Sequence, residues 1–392
     1  MKALDGLRVI DLTQAMAAPY CTMNLADLGA DVIKVEPPGG EETRRGSVHR
    51  NGHSGSFNAI NRNKRSLTVD LKTPAGVEIV HRLARTADVF VQNYRPGAAR
   101  RLGVDDERLR ALNPRLVYCS ISGSGSTGPY ASRGGYDLIA QGMSGIISLT
   151  GDEDGRPAKS GVPLSDLAAG LFGAYGILCA LEHRERTGEG QVVDTSLLEA
   201  AMALTVREAT EFWSTGRTPA ALGTADRHAA PCQAIQASDG WLTVAADSDA
   251  TYERLCRAIG RPELADDARF ARHDSRHRHR RLLAAEIERT TRKETRAHWL
   301  ARLAAAGVPS GPVNTYPEAL ADAQTLARDL VVDLVHPGAG PIKNLGVAVK
   351  LADTPGAVDR PAPLLGQDND TILAELGYDA AARHALRTAG VI

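Results

Sequence analysis

The chain has 392 residues, 43% of them hydrophobic and 24% charged, with a formal net charge of −1. This is the composition of an ordinary globular protein, and its balanced charge argues against a nucleic-acid backbone or an anionic membrane surface as the main partner. The length exceeds what one hydrophobic core usually serves, so we expect two domains, or one large domain with an insertion.

The opening run Leu7–Leu12 (LRVIDL) reads as a strand, Ala18 to Leu28 as a helix stopped by Gly29, and Asp31–Val35 as the next strand. Together they form a βαβ unit. The pattern repeats. Leu67–Val69 is strand-like, Thr73–Thr86 is a helix with Pro74 in its first turn, and Val89–Gln92 is a strand. A short helix at Asp106–Asn113 and a strand at Leu116–Ile121 follow. Strands alternating with helices predict a mostly parallel sheet covered on both faces. A long helix rich in Ala, Gly and Leu runs from Ser165 to about Arg184, and another from Ser196 to Thr215. Its small residues predict close burial against other elements.

Residues 216–232, rich in Gly, Ala, Pro and Thr, read as a linker. Beyond them a strand pair at Gln233–Ala246 turns at Ser238-Asp239-Gly240, and helices follow at 249–259, 275–291 and 293–306. We therefore expect a large domain over 1–215, a linker at 216–232, a small α+β domain at 233–312, and a return over 313–392 that completes the large domain. The return is extended over 331–352 and ends in a helix from about Asn369.

The five cysteines, Cys21, Cys119, Cys179, Cys232 and Cys256, are scattered and form no C-x-x-C pair, as expected of reduced intracellular thiols. The first residues lack the apolar core of a signal peptide, and no run of ~18 apolar residues is present. The expectation is a cytoplasmic protein with no membrane and no nucleic-acid partner.

Four stretches invite a chemical reading. Gly123-Ser124-Gly125-Ser126-Thr127-Gly128 matches G-x-G-x-x-G after a strand, but Pro129-Tyr130 and Arg133-Gly134-Gly135 follow where a dinucleotide site needs a helix. A flexible site loop, with backbone approaching a ligand, is the better reading. Ser165 and Asp166 stand at a helix start, where such residues commonly act as caps. A helix N-terminus also favours an ionised carboxylate, so Asp166 is equally a candidate nucleophile. His273, His277 and His279 lie among arginines, which points to a solvated helix face and not to a metal site. Asn61–Arg65, Asn93–Gly97 and Arg100-Arg101 lie at or after strand ends, where they either serve a phosphate-bearing ligand or are solvated loop charges.

Taken in order, these pieces resemble family III coenzyme A transferases, the formyl-CoA transferase-like family of L-carnitine and bile-acid-inducible proteins. The resemblance rests on Leu4–Asp11, Ala18-Pro19, Leu28–Pro38, Asn63–Ser66, Asn93–Gly97, Gly128–Tyr130, Gly135–Asp137, Asp166, His183–Gln191 and Ala362–Gly366, and spans nearly the whole chain. It implies a doubly wound, Rossmann-like large domain built from both ends of the chain. It also implies a small α+β middle domain and an interlocked homodimer.

The resemblance further implies that Asp166 is a covalent nucleophile. The substrates would be an acyl-CoA donor and a carboxylic acid acceptor, and the intermediates an aspartyl–acyl anhydride and an aspartyl–CoA thioester. No metal and no tightly bound cofactor is implied. Coenzyme A contacts carry over to Gln14, Ala15, Ala17, Val69, Asn93, Tyr94, Arg101 and Tyr136. Two departures stand out. Where some members carry four glycines, this chain has Gly223-Thr224-Ala225-Asp226, and Gly134 replaces a basic residue beside Arg133. Arg133, Arg227 and His228 are candidates for a second substrate carboxylate. The same resemblance admits a 2-methylacyl-CoA racemase, whose His stands where Tyr136 is here, and a non-catalytic CoA-ester binder.

Overall fold

The computed structural model describes residues 1–46, 49–153 and 155–392. They fall into two compact units, one of residues 1–147, 159–217 and 323–392, the other of 148–158 and 218–322. The second unit thus includes residues 218–232, read above as a linker, and an eleven-residue stretch, 148–158, that the sequence pattern placed with the large domain.

The first unit is built on a six-stranded sheet. Its strands are β1 (Arg8–Leu12), β2 (Asp31–Glu36), β3 (Arg65–Thr68), β4 (Val89–Gln92), β5 (Val117–Ser122) and β6 (Val192–Ser196), all parallel, in the spatial order β3-β2-β1-β4-β5-β6. Val9 of β1 lies level with Val32 on one side and Val89 on the other. Sheets of this kind need apolar strands because helices cover both faces.

One face carries α1 (Ala17–Asp27) and α4 (Leu164–Thr187), packed over Val9, Val32, Val91 and Ile121. The other carries α2 (Pro74–Thr86), with Ile372, Leu373 and Val391 from the chain's end. The C-terminal segment therefore closes the second layer. A hairpin at Val331–His336 and Gly340–Leu345 occupies the stretch expected to be extended.

Three elements of this unit escape the sequence pattern. Strand β6 alternates exposed and half-buried residues before the buried Ser196, as an edge strand does, and shows no apolar run. Helix α3 (Asp137–Met143) is short and follows the glycine-rich loop. The helix expected over Ser196–Thr215 is two, α5 (Leu197–Ala203), capped by Ser196, and Val206–Thr215. They part at Thr205, whose hydroxyl donates to the Met202 carbonyl.

The second unit has a three-stranded antiparallel sheet of Cys232–Ala237, Gly240–Ala245 and Ser310–Pro312. Helices Asp249–Ala258, Arg280–Thr291 and Arg296–Ala305 pack Leu255, Leu283 and Trp299 onto it. The Arg/His run is not a uniformly solvated face. Arg276 is fully buried, donates to the carbonyls of Ala230, Phe270 and Asp247, pairs with Asp249, and lies over the Tyr252 ring. His277 and His279 make hydrogen bonds to the carbonyls of Arg227 and Ser275, and no group of three metal-ligating side chains exists among the described residues.

The small residues of α4 have a steric reason. A Cβ added at Gly170 would lie 2.5 Å from the Ala17 carbonyl oxygen, and one at Gly173 would lie 2.7 Å from Ile121. The backbones of α1 and α4 thus touch, which fixes where α1 begins. Gly170→Ala should cost about 1–3 kcal/mol through overpacking, read as a lowered denaturation midpoint. Gly142→Ala in α3, whose added Cβ meets nothing closer than 3.8 Å, should leave the midpoint unchanged or raise it.

Candidate active site

Strand order reverses between β1 and β4, so the loops leaving their carboxyl ends diverge and open a crevice, the usual ligand position in such sheets. A cavity of about 470 Å³ lies there. Its walls are Gln14–Ala17 after β1, Glu42, Thr43 and Gly46 in the segment after β2, Asn93–Pro96 after β4, Ile121–Gly123 at the end of β5 and Leu197 after β6, with Arg133–Asp137 and Asp166.

The turn after β1 is held rigidly. The Asn93 side chain accepts from the Gln14 N–H (2.9 Å) and donates to the Gln14 carbonyl (2.7 Å), so Asn93 shapes the turn as well as lining the cavity. Ala15 adopts a left-handed conformation at φ 65° and donates its N–H to Glu41. Ala17 opens α1, which has no side-chain cap, and with Met16 it lines the cavity.

Of the other residues carried over by resemblance, Tyr94 lines the cavity and its phenol is pushed up to about 12 by burial. Tyr136 stands on the rim, 70% exposed. Val69 and Arg101 do not line the cavity: Val69 is in the core under α2, and Arg101 is exposed.

The basic run at 61–65 serves neither role proposed for it. Asn61, Arg62, Asn63 and Lys64 are buried. Arg62 pairs with Asp27, Asn63 ties Asp27 to the 357–360 segment, and Lys64 pairs with Asp11 at 2.8 Å. The run is an internal strut joining α1 to the returning chain. The glycines of the 123–135 loop likewise serve the loop itself. A Cβ on Gly123 would meet the Gly135 Cα at 2.5 Å, so the two glycines let the loop's ends cross in contact.

Asp166 is the third residue of α4 and not its cap. The capping acceptor is Asp137 of α3, whose carboxylate takes the Ser165 N–H at 2.9 Å and the Gln141 amide at 2.7 Å. Gln141, fully buried, accepts in turn from the Ser160 N–H. The residues 160–165 that deliver Asp166 are thus tied to α3. Sequence reading missed Asp137 and Gln141 because their role lies in a contact across 28 and 19 residues of chain.

No side chain among the described residues hydrogen-bonds or pairs with the Asp166 carboxylate. Its pKa is pushed up to about 6, first by burial and then by the negative charge of Asp137. Burial and a like charge thus act against the pull of the helix start toward the ionised form. Arg95 and Arg133 also line the cavity, and neither has an acidic partner among the described residues; Arg133 lies over the Tyr130 ring.

The family model described as CoA-transferase family III matches residues 4–369. A Mus musculus protein named "Succinyl-CoA:glutarate CoA-transferase" is 40% identical over 395 residues, covering 100% of this chain and 91% of that protein. An Agrobacterium fabrum protein named "Succinate--glutarate CoA-transferase" is 40% identical over 381 residues, covering 95% of each. The crystal structure of a CAIB/BAIF family protein from Brucella suis superposes with a TM-score of 0.87 at 39% identity, over 96% of this chain and 99% of that one. This chain therefore belongs to CoA-transferase family III, and it is a coenzyme A transferase.

Chemistry at Asp166 that needs the ionised carboxylate should rise with pH through about 6. Asp137→Asn keeps an acceptor for the Ser165 N–H and removes the like charge, so the acidic limb of the rate profile should move to lower pH. An unmoved limb would show that Asp137 does not set it.

Proposed function

We propose that this chain transfers coenzyme A from an acyl-CoA to a free dicarboxylic acid, with Asp166 as the covalent nucleophile. The observation that carries this reading is a half-buried carboxylate that, among the described residues, has no side-chain hydrogen-bond partner, facing a cavity that also holds two guanidinium groups with no acidic partner among those residues and the start of α1, which has no side-chain cap. The helix start suits the phosphates of coenzyme A. Both relatives named above carry glutarate in their names, and glutarate is a dicarboxylate.

In the proposed sequence the Asp166 carboxylate attacks the acyl carbon of the thioester. The C–S bond breaks, leaving an aspartyl–acyl anhydride and CoA thiolate. The thiolate attacks the Asp166 carbonyl, expels the donor acid as its carboxylate, and leaves an aspartyl–CoA thioester. The acceptor carboxylate attacks that thioester and re-forms an anhydride and thiolate. Thiolate attack on the acceptor's carbonyl then gives the new acyl-CoA and regenerates Asp166. One activated carboxyl replaces another at every stage, so the reaction needs no ATP and no tightly bound cofactor. Arg133, which lines the cavity, is the residue proposed to meet the acceptor's second carboxylate through paired N–H donors.

Exchange between succinyl-CoA and labelled glutarate, followed by mass spectrometry, tests the scheme. Asp166→Ala should abolish exchange and the covalent adduct on its peptide; full exchange by that variant refutes the mechanism. Arg133→Ala should raise KM for glutarate and for succinyl-CoA about 10-fold or more, the scale of a lost charge-assisted pair, because the free carboxylate of each would meet Arg133 in turn, with binding of free coenzyme A little changed. An equal loss of free coenzyme A binding would reassign Arg133 to the phosphates. Deuterium entering the α-carbon without an acceptor acid would mark a racemase instead.

We further propose that two copies form an interlocked homodimer. Helix α4 is long and apolar enough to cross a membrane by length and composition, and half of it is buried in the fold. Leu171, Phe172, Tyr175 and Leu178 on the same helix are exposed, as are Phe212 and Trp213. Apolar area of this kind calls for a protein partner. Light scattering should return twice the chain mass, and a monomer would rule this out. We also propose a reducing, cytoplasmic compartment on the scattered free cysteines, which fractionation against a cytosolic marker checks.

A further inference from the structure

We infer that Lys34 and Glu41 are positioning residues that hold the Gln14–Ala15 turn in its acyl-CoA-binding shape. This inference rests on the reading of the cavity as the acyl-CoA site.

The buried charges below the cavity are arranged around that turn. Lys34, on the central strand β2, is fully buried. Its ammonium donates to the Thr13 carbonyl at 2.9 Å, lies 3.1 Å from Glu41 Oε1, and is 4.0 Å from Asp11 Oδ1. The other oxygen of Glu41 accepts the Ala15 N–H at 3.0 Å. Lys34 thereby grips the residue before Gln14 through a carbonyl, and the residue after it through Glu41. Asp11 is balanced by Lys64 at 2.8 Å, and Glu36 by Arg44 at 2.7 Å. The six groups are neutral as a set.

Such a set is not required for packing. Replacing a buried ion pair by apolar groups of the same shape is often neutral or stabilising. What this one supplies is a fixed acceptor for a single backbone N–H, at the one residue of the turn with a strained conformation. Ala15 holds φ 65°, a region that side-chain-bearing residues rarely occupy, and it lines the cavity beside Gln14. Strain of that kind persists only when surrounding contacts over-determine it. Asn93 secures Gln14 from the other side. Without Glu41, Ala15 can relax toward negative φ, which would swing its amide and the start of α1 away from their places on the wall.

The test uses the whole protein and four variants, with acyl-CoA binding by calorimetry and steady-state rates as readouts. In Glu41→Gln the one amide oxygen turns to the Lys34 ammonium and the NH2 faces the Ala15 N–H, so that hydrogen bond is lost; acyl-CoA Kd and KM should rise about 10-fold, the scale of a lost hydrogen bond to a charged group, while kcat changes little. Hydrogen exchange of the 14–16 amides should speed up. Adding Ala15→Gly should restore most of the affinity, because glycine reaches positive φ without a Cβ penalty. A merely structural role would lower the melting temperature and would not respond to Ala15→Gly. Should Glu41→Gln fail to fold, Glu41→Asp keeps the charge beside Lys34 and withdraws it from the Ala15 N–H, with the same rise and the same rescue expected. Wild type that binds acyl-CoA together with either variant binding equally well overturns this assignment alone. Wild type that binds no acyl-CoA overturns the site reading and this assignment with it.

Discussion

The strands of the large sheet grow outward from β1 in both directions, and everything at the site depends on that reversal. Because β2 and β4 flank β1, the loop after β1 must turn one way and the loop after β4 the other. A crevice opens where they part. Five strands deliver their carboxyl-end segments to it, and the long helix α4 brings its first turn alongside. Candidate site residues that are far apart in the chain meet because the sheet makes them neighbours.

Two devices then refine that crevice. The first is close backbone packing. Glycines 170 and 173 let α4 lie directly on α1 and on β5, and glycines 123 and 135 let the intervening loop cross itself. Any larger residue there would push the wall of the site outward. The second is buried polarity. Asp137 ties the start of α4 to α3, while Lys34, Glu41 and Asn93 tie the turn after β1 to the sheet. Hydrogen bonds to charged groups hold geometry more firmly than neutral ones, and burial makes leaving them unmade costly.

The state of Asp166 is set by the same surroundings. A helix start on its own would favour the carboxylate. Partial burial and the neighbouring charge of Asp137 act the other way and raise its affinity for a proton. The group is therefore a stronger base and less solvated than a surface aspartate. The residue that caps the helix also tunes the carboxylate one position further along it.

The alternation of strands and helices, the apolar runs at 7–12 and 89–92, the helix beginning near Ser165 and the turn to a different pattern beyond about 216 are all legible in the chain, because periodicity and turn residues act locally. So is Asp166 as a candidate, once the ordered motifs around it are read together. Other features are not legible there. The edge strand β6 lacks an apolar run because only one neighbour pairs with it. The Asn61–Lys64 run looks like a solvated or ligand-binding loop, since nothing local shows that Asp27 and Asp11 meet it inside the fold. The same residue types serve as surface charge or internal strut depending on what lies opposite. Sequence alone determined the class of fold, the order of most of its elements and Asp166 as the candidate carboxylate. Tertiary structure alone decided which charges are buried, which amide caps which helix and what proton affinity Asp166 has, because each depends on groups brought close in space from distant parts of the chain.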